Sequence, residues 1–271
     1  MPELPEVETT RRGLIPLVEG RVLGAIRVRQ RQLRWPVAAE LDRLSGRKLM
    51  ALERRAKWLL WRFSHGTLLW HLGMSGSFRG WDLAPAPGPH DHIDLRIRGG
   101  RTLRYTDPRR FGAVLWQPGD DPEIHPRLAA LGPEPLSDDF DGDWLWRHAR
   151  GRRAPVKQFI MDGRIVVGVG NIYAAEALFA AGIHPRRAAG RVSRERYRRL
   201  AEAIRITLSR AIEVGGTSLR DFTVGDGTPG YFGQELRVYG RAGAPCPACG
   251  RELKGAMLGQ RATVWCPACQ R

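Results

Sequence analysis

An α+β fold is what this sequence predicts, antiparallel β in its first half and helical in its second, and three observations carry it. Apolar and polar residues alternate on both sides of Gly99-Gly100, the pattern of a β-hairpin. Between residues 193 and 216 the apolar period changes to that of a helix with one buried face. All four cysteines fall in the last 26 residues, as two Cys-x-x-Cys pairs.

The elements follow in chain order. Residues 1–14 (MPELPEVETTRRGL) read as a capped helix. Pro5 suits its first turn, Glu6 and Glu8 its positive end, and Arg11 and Arg12 its negative end before Gly13. GTLLWHLGMSG reads as a strand running into a glycine turn, and WDLAPAPGPH as a loop. In the hairpin, Ile93, Leu95 and Ile97 alternate with polar residues, as do Leu103 and Tyr105. The first half is therefore a sandwich or a flattened barrel. LGPEPLSDD (131–139) is a proline-punctuated boundary. NIYAAEALFAAGIHP reads as a helix stopped by Gly182 and Pro185. The next helix has Ser193 as cap, Tyr197, Leu200, Ala201, Ile204, Leu208, Ala211 and Ile212 on one face, and Gly215-Gly216 as its stop. Residues 217–236 are glycine-rich and read as a loop.

Charge narrows the partners. Lys and Arg number 44 against 28 Asp and Glu, a net +16, which favours a polyanion through phosphate contacts and counterion release. No apolar run reaches the ~20 residues of a membrane span. The start lacks the charged-then-apolar order of a signal peptide, so a cytoplasmic location is expected.

Cys246, Cys249, Cys266 and Cys269 form two matched pairs around a 16-residue spacer. Two such turns on a hairpin offer four thiolates to one tetrahedral zinc ion and leave no open position for water, so the metal is structural. Disulfides or a redox pair are the other readings of the same spacing. Lys57 precedes an apolar strand, His71 and Met74 flank a glycine turn, and Arg109 and Phe111 sit in a turn marked by Pro108. Each alone fits core packing or a solvated charge. Together, apolar wedges beside arginine on a basic β protein suit the unstacking of a duplex. Asn171 opens a helix behind a glycine-rich run, which fits an N-cap or a phosphate contact. Methionine before proline is commonly removed, and Pro2 would then carry a secondary amine able to attack an electrophilic carbon, with Glu3 beside it to move protons. A disordered chain start is the plainer reading of the same residues.

The segments MPELPEVETTRRGL, RRAKWLL, HLGMSG, HDHIDL, RYTDPRRFG, LGPEPL, VVGVGNIYAAEALFAAGIHP, DGTPGYFGQELRVYGR and the cysteine tail together resemble the bacterial formamidopyrimidine-DNA glycosylases. The resemblance runs in unbroken order from residue 2 to 270. It implies an N-terminal β-sandwich carrying the opening helix, then a helix–two-turn–helix domain and a zinc-bound β-hairpin, with DNA in the cleft between the two domains. The corresponding segments are 1–134, 135–236 and 237–271. It implies excision of oxidised purines from duplex DNA followed by β,δ-elimination, with no catalytic metal and one structural zinc. By matching position, Pro2 is the nucleophile at C1′ and Glu3 the acid/base. Lys57 and Arg261 serve the two eliminations and touch phosphate. Met74, Arg109 and Phe111 fill the void left by the flipped base. His71, His90, Arg152 and Asn171 touch the DNA backbone or its surroundings. The cluster RHARGRR departs from the lysines usual there, which weakens the match at Arg152. The partner expected is double-stranded DNA, with no membrane, and the chain is expected to act as a monomer at the nucleoid.

Two rival readings fit the same residues. An endonuclease VIII-like enzyme would share the fold and chemistry but prefer oxidised pyrimidines; PELPEVE and the Met74–Arg109–Phe111 set favour the purine enzyme. A non-enzymatic zinc protein that senses DNA damage would keep the basic surface and the tail without needing Pro2, Glu3 and Lys57 together.

Overall fold

A computed structural model describes residues 2–216 and 232–271. Its described residues divide into two compact units, one of 2–129 with 214–216 and 232–233, the other of 130–213 with 234–271. Most of the glycine-rich 217–236 segment lies outside the described residues.

The first unit begins with helix α1 (Leu4–Val18). Glu3 is its N-cap, and the Glu6 carboxylate reaches back to accept the Glu3 N–H at 2.8 Å, one half of a capping box. The helix does not stop at Gly13 as its sequence suggests. It runs on through Pro16 because Leu14 and Val18 are buried in the sandwich core, and that burial outweighs a weak helix former and one lost ladder bond. Arg11 and Arg12 do not serve the helix end either; both turn back to Glu8.

Eight strands follow: β1 (Leu23–Val28), β2 (Ala51–Arg55), β3 (Trp58–Phe63), β4 (Gly66–His71), β5 (Ser77–Trp81), β6 (Asp91–Ile97), β7 (Thr102–Thr106) and β8 (Ala113–Pro118). They form two antiparallel sheets, in the orders β1-β6-β7-β5 and β2-β3-β4-β8. The expected hairpin is β6–β7, with Leu95 opposite Leu103. The sheets pack face to face, Trp70 from one against Tyr105 of the other at 5.1 Å and Trp61 against Phe78 at 5.8 Å. The sandwich is thus realised and the barrel is not.

Glu8 ties α1 to the second sheet. It accepts from Arg11, Arg12 and Arg54, the last at 3.1 Å, and Arg54 in turn donates to the Ala56 carbonyl at 2.9 Å. Burial pushes the Glu8 carboxyl up, but the Arg11 and Arg12 hydrogen bonds and the charges of Arg11 and Arg54 outweigh it and hold the group at about 2, against an ordinary 4.5. A carboxylate held low stabilises the fold fully above its unfolded value and loses that contribution as pH falls through the folded one. Glu8→Gln is therefore expected to cost roughly 2 kcal/mol near neutral pH, allowing for solvent screening. Denaturant melts at several pH values should show the gap to wild type closing between 4.5 and about 2; a gap that ignores pH refutes this.

The second unit holds helices α2 (Gly142–Ala149), α3 (Val156–Ile160), α4 (Asn171–Ala180) and α5 (Arg194–Glu213), and a hairpin of β9 (Lys254–Leu258) and β10 (Arg261–Trp265). α4 and α5 lie where the sequence places them, α4 followed by Gly182 and α5 capped by Ser193, whose Oγ accepts the Arg196 N–H at 3.3 Å. The hairpin packs Val264, Cys246 and Cys266 against Ala175 and Phe179 of α4. Among the described residues no helix is long and apolar enough to cross a membrane.

Candidate functional site

In the first unit, Pro2 and Glu3 are buried at the N-terminus of α1, Glu3 with 3% of its surface exposed. Arg55 pairs with Trp58, so Ala56 and Lys57 form a two-residue turn, and Ala56 takes the left-handed φ of +54° that the turn requires. The Glu8–Arg54–Ala56 chain therefore joins the helix that carries Pro2 and Glu3 to the turn that carries Lys57.

Strand register brings His71 beside that turn. Trp58 is the Cα partner of His71, and their rings meet edge to face at 4.9 Å. Burial, then the charges of Lys57 and Arg34, push the His71 imidazole down to about 4, so it is neutral at pH 7. The Gly73 N–H donates to its Nδ1 at 2.9 Å, which leaves the proton of the neutral ring on Nε2, a donor suited to a phosphate oxygen.

His71, Met74, Arg109 and Phe111 line one pocket of about 670 Å³, together with Gln32, Leu33 and Arg34. The Met74 and Phe111 turns are pressed together. A Cβ on Gly73, whose φ is +68°, would lie 2.3 Å from the Phe111 carbonyl carbon, so only glycine fits there. Asp107 holds the second turn and was not singled out from sequence. Fully buried, its carboxylate accepts from Ser75 Oγ at 2.7 Å and the Gly112 N–H at 2.8 Å, while Ser75 Oγ accepts the Arg109 N–H at 3.2 Å. The Arg109 guanidinium stands 5.1 Å over the Phe111 ring, which is 42% exposed. The result is an apolar, cation-backed wedge on a rigid support. His90 is exposed, and its backbone carbonyl accepts the Asp107 N–H at 3.0 Å; its ring is not among the pocket-lining groups.

In the second unit, Arg261 follows the Gly259-Gln260 turn of the hairpin, both turn residues having positive φ. Lys157, only 1% exposed, donates to the Ala262 carbonyl at 3.1 Å and to Thr263 Oγ1 at 2.8 Å. Asn171, the first residue of α4, donates from Nδ2 to the same Ala262 carbonyl at 3.2 Å. Two expected DNA contacts, Asn171 and Arg261, are thus gathered around one point of the hairpin. Arg152 is exposed and locally engaged: its Nε donates to the His148 carbonyl at 2.8 Å, capping α2. Glu176 was also missed. Its buried carboxylate accepts the N–H groups of Arg237, Val238 and Tyr239 at 2.8–3.0 Å. A lone acid inside the apolar run NIYAAEALFAAG is the signal that could have found it.

The four cysteine Sγ atoms lie within 4.8 Å of one another. Cys246 and Cys269 are 4.0 Å apart and Cys249 and Cys266 3.5 Å, far longer than a disulfide. Tetrahedral zinc with Zn–S bonds near 2.3 Å requires sulfur separations of about 3.8 Å. The Ala248 N–H donates to Cys246 Sγ and the Cys269 N–H to Cys266 Sγ, each at 3.4 Å, which supports the thiolate forms. The donor set fits zinc and has no place for a fifth ligand.

Comparison with known proteins gives a consistent result along the chain. Residues 1–114 match the family described as "Formamidopyrimidine-DNA glycosylase N-terminal domain", residues 131–223 "Formamidopyrimidine-DNA glycosylase H2TH domain", and residues 243–271 "Zinc finger found in FPG and IleRS". The formamidopyrimidine-DNA glycosylase of Alkalilimnicola ehrlichii is 60% identical over 278 residues, and that of Stutzerimonas stutzeri 60% over 272, each alignment covering 100% of both chains. Among solved structures, the MutM (Fpg) protein of Thermus thermophilus superposes with a TM-score of 0.89 at 42% identity, covering 99% of this chain and 98% of the other. The Lactococcus lactis Fpg in complex with DNA containing an abasic site superposes at 0.91 with 31% identity, covering 99% of both.

Proposed function

The chain belongs to the formamidopyrimidine-DNA glycosylase family, and from that premise we propose that Pro2 and Glu3 are its reaction centre. As a member it is a base-excision-repair enzyme, a DNA N-glycosylase for oxidised purines with abasic-site lyase activity, and it carries one zinc ion on its four cysteines. The Pro2 nitrogen attacks C1′ of the damaged nucleotide, the base leaves, and the open sugar stays on Pro2 as an iminium. That iminium is an electron sink, so the two flanking phosphates leave in turn by β- and δ-elimination. Glu3 moves protons at the sugar, Lys57 serves the first elimination, and Arg261 the second. Met74, Arg109 and Phe111 fill the stack the purine vacates, the arginine facing the orphaned cytosine. His71, His90, Arg152 and Asn171 hold the backbone. Functionally the chain divides into the segments 1–134, 135–236 and 237–271, and it works as a monomer on chromosomal DNA in the bacterial cytoplasm.

The observation that carries this reading is the meeting of Met74, Arg109 and Phe111, from two separate turns, in one pocket with His71. A wedge of that composition suits a site where a base step is unstacked and a base is taken out of a duplex. Excision of 8-oxoguanine opposite cytosine is expected to exceed excision of thymine glycol. The reverse order would favour the oxidised-pyrimidine specificity, and damage-dependent binding without excision of either would favour a non-enzymatic sensor.

A further inference from the structure

We propose that a basic recess formed by His184, Arg186, Arg187, Arg191 and Arg271 binds backbone phosphates of the same duplex, beyond the contacts that hold the lesion. The proposal rests on the DNA-binding reading above and adds a contact surface to it.

The recess measures about 610 Å³, and no side-chain carboxylate lines it. Several arginines elsewhere on this unit pair with carboxylates, Arg194 and Arg198 with Asp143 and Arg210 with Glu235. Among the described residues no acidic side chain pairs with Arg186, Arg187, Arg191 or Arg271. Their field is felt by their neighbours. Burial and then Arg186 and Arg187 push the His184 imidazole down, and burial with Arg187 and Arg199 lowers the Arg196 guanidinium. Four guanidinium groups gathered with no side-chain carboxylate among them gain from an added anion, and the arginine fork matches phosphate.

Two of the guanidinium groups are also held in place. Arg186 lies 5.3 Å over the Trp265 ring, which meets His184 edge to face at 5.1 Å. Arg187 donates to the Arg191 carbonyl at 3.4 Å. A merely solvated charged face has no need of such supports.

Continuity with the expected DNA contacts selects the occupant. The Val156 N–H donates to the Arg187 carbonyl at 2.7 Å and the Lys157 N–H to the Pro185 carbonyl at 3.3 Å. The Lys157 ammonium meanwhile holds Ala262 and Thr263, next to Arg261. The loop bearing the recess and the hairpin bearing Arg261 thus hang on the same short helix, α3. A duplex seated on Arg261 and Asn171 presents further phosphates along its length, and a second cationic recess on the same frame meets them.

The test uses zinc-loaded protein and duplexes carrying a central, uncleavable abasic-site analogue, one of about 10 base pairs and one of about 30. For Arg187→Ala/Arg191→Ala, affinity for the long duplex at low salt should fall about tenfold, and the salt dependence of log K should flatten by about 2 for two lost phosphate contacts. Affinity for the short duplex should not change, nor should the rate of borohydride-trapped adduct formation on a duplex of the same short length that carries 8-oxoguanine in place of the analogue. Arg187→Lys/Arg191→Lys should keep most of the slope. If the double alanine variant unfolds, Arg191→Glu at an exposed position carries the same comparison. An unchanged slope on the long duplex, or equal losses at both lengths, overturns the proposal. Failure of the wild type to bind either duplex or to form an adduct would instead strike the enzymatic reading.

Discussion

Borohydride added to the protein on duplex DNA containing 8-oxoguanine is expected to leave the chain covalently joined to DNA through the Pro2 nitrogen. The expectation follows from the proposed bond sequence. The Pro2 amine forms a bond to C1′, the glycosidic bond breaks, and the ring opens to an iminium; hydride reduces that iminium to a stable tertiary amine. The step needs a free secondary amine. In protein that retains Met1 the Pro2 nitrogen is a tertiary amide with no lone pair to donate, so adduct and turnover should both vanish. Pro2→Gly should lose the adduct as well, with excision falling at least about 10³-fold, the scale seen when a covalent nucleophile is removed. The local structure supports the placement. Glu6 fixes the Glu3 backbone at 2.8 Å, and Glu8 ties the same helix to the Lys57 turn through Arg54. The chain start is therefore a held element and not a loose end. An adduct mapped to a lysine, or none, would sink the mechanism. An intact mass lacking Met1 is the preliminary check.

Cys249→Ala is expected to release zinc and to weaken DNA binding without collapsing the sandwich. Four thiolates within 4.8 Å of one another, two of the pairs at 3.5 and 4.0 Å, repel one another unless a cation sits among them. Structural zinc sites contribute about 10 kcal/mol or more of apparent binding free energy, which here is folding free energy of the hairpin. The packing of Val264 and Leu253 against Ala175 and Phe179 is too small a core to replace it. With the hairpin loosened, Lys157 and Asn171 lose the Ala262 carbonyl they share, and Arg261 is no longer aimed. Metal content measured beside affinity for an abasic-site duplex decides the matter. Full binding by metal-free protein would refute the structural role.

What was legible in the sequence was local. The hairpin around Gly99-Gly100, the amphipathic helix from Arg194 to Glu213 and its Ser193 cap each depend on residues a few positions apart. The boundary of the opening helix was misread because Gly13 is a local stop signal, whereas the burial of Leu14 and Val18 is a long-range one. α2 is a short helix whose one local signal is its cap, Asp141, with Oδ1 accepting the Trp144 N–H at 2.6 Å. The roles of Asp107, Lys157 and Glu176 are not written locally in the sequence, for one reason. A buried polar residue is recognised by its partners, and these come from Ser75, from residues 262–263 and from residues 237–239.

By itself the sequence determined the α+β class and the four cysteines spaced for one zinc ion, because each is written in spacing or in local patterning. Only the tertiary structure decided the rest: a sandwich instead of a barrel, a neutral His71, one pocket for Met74, Arg109 and Phe111, and a hairpin hung on Lys157. The physical reason is distance along the chain. Strand order, desolvation and the satisfaction of buried polar groups are settled between residues dozens of positions apart, and no local pattern records which of them will meet.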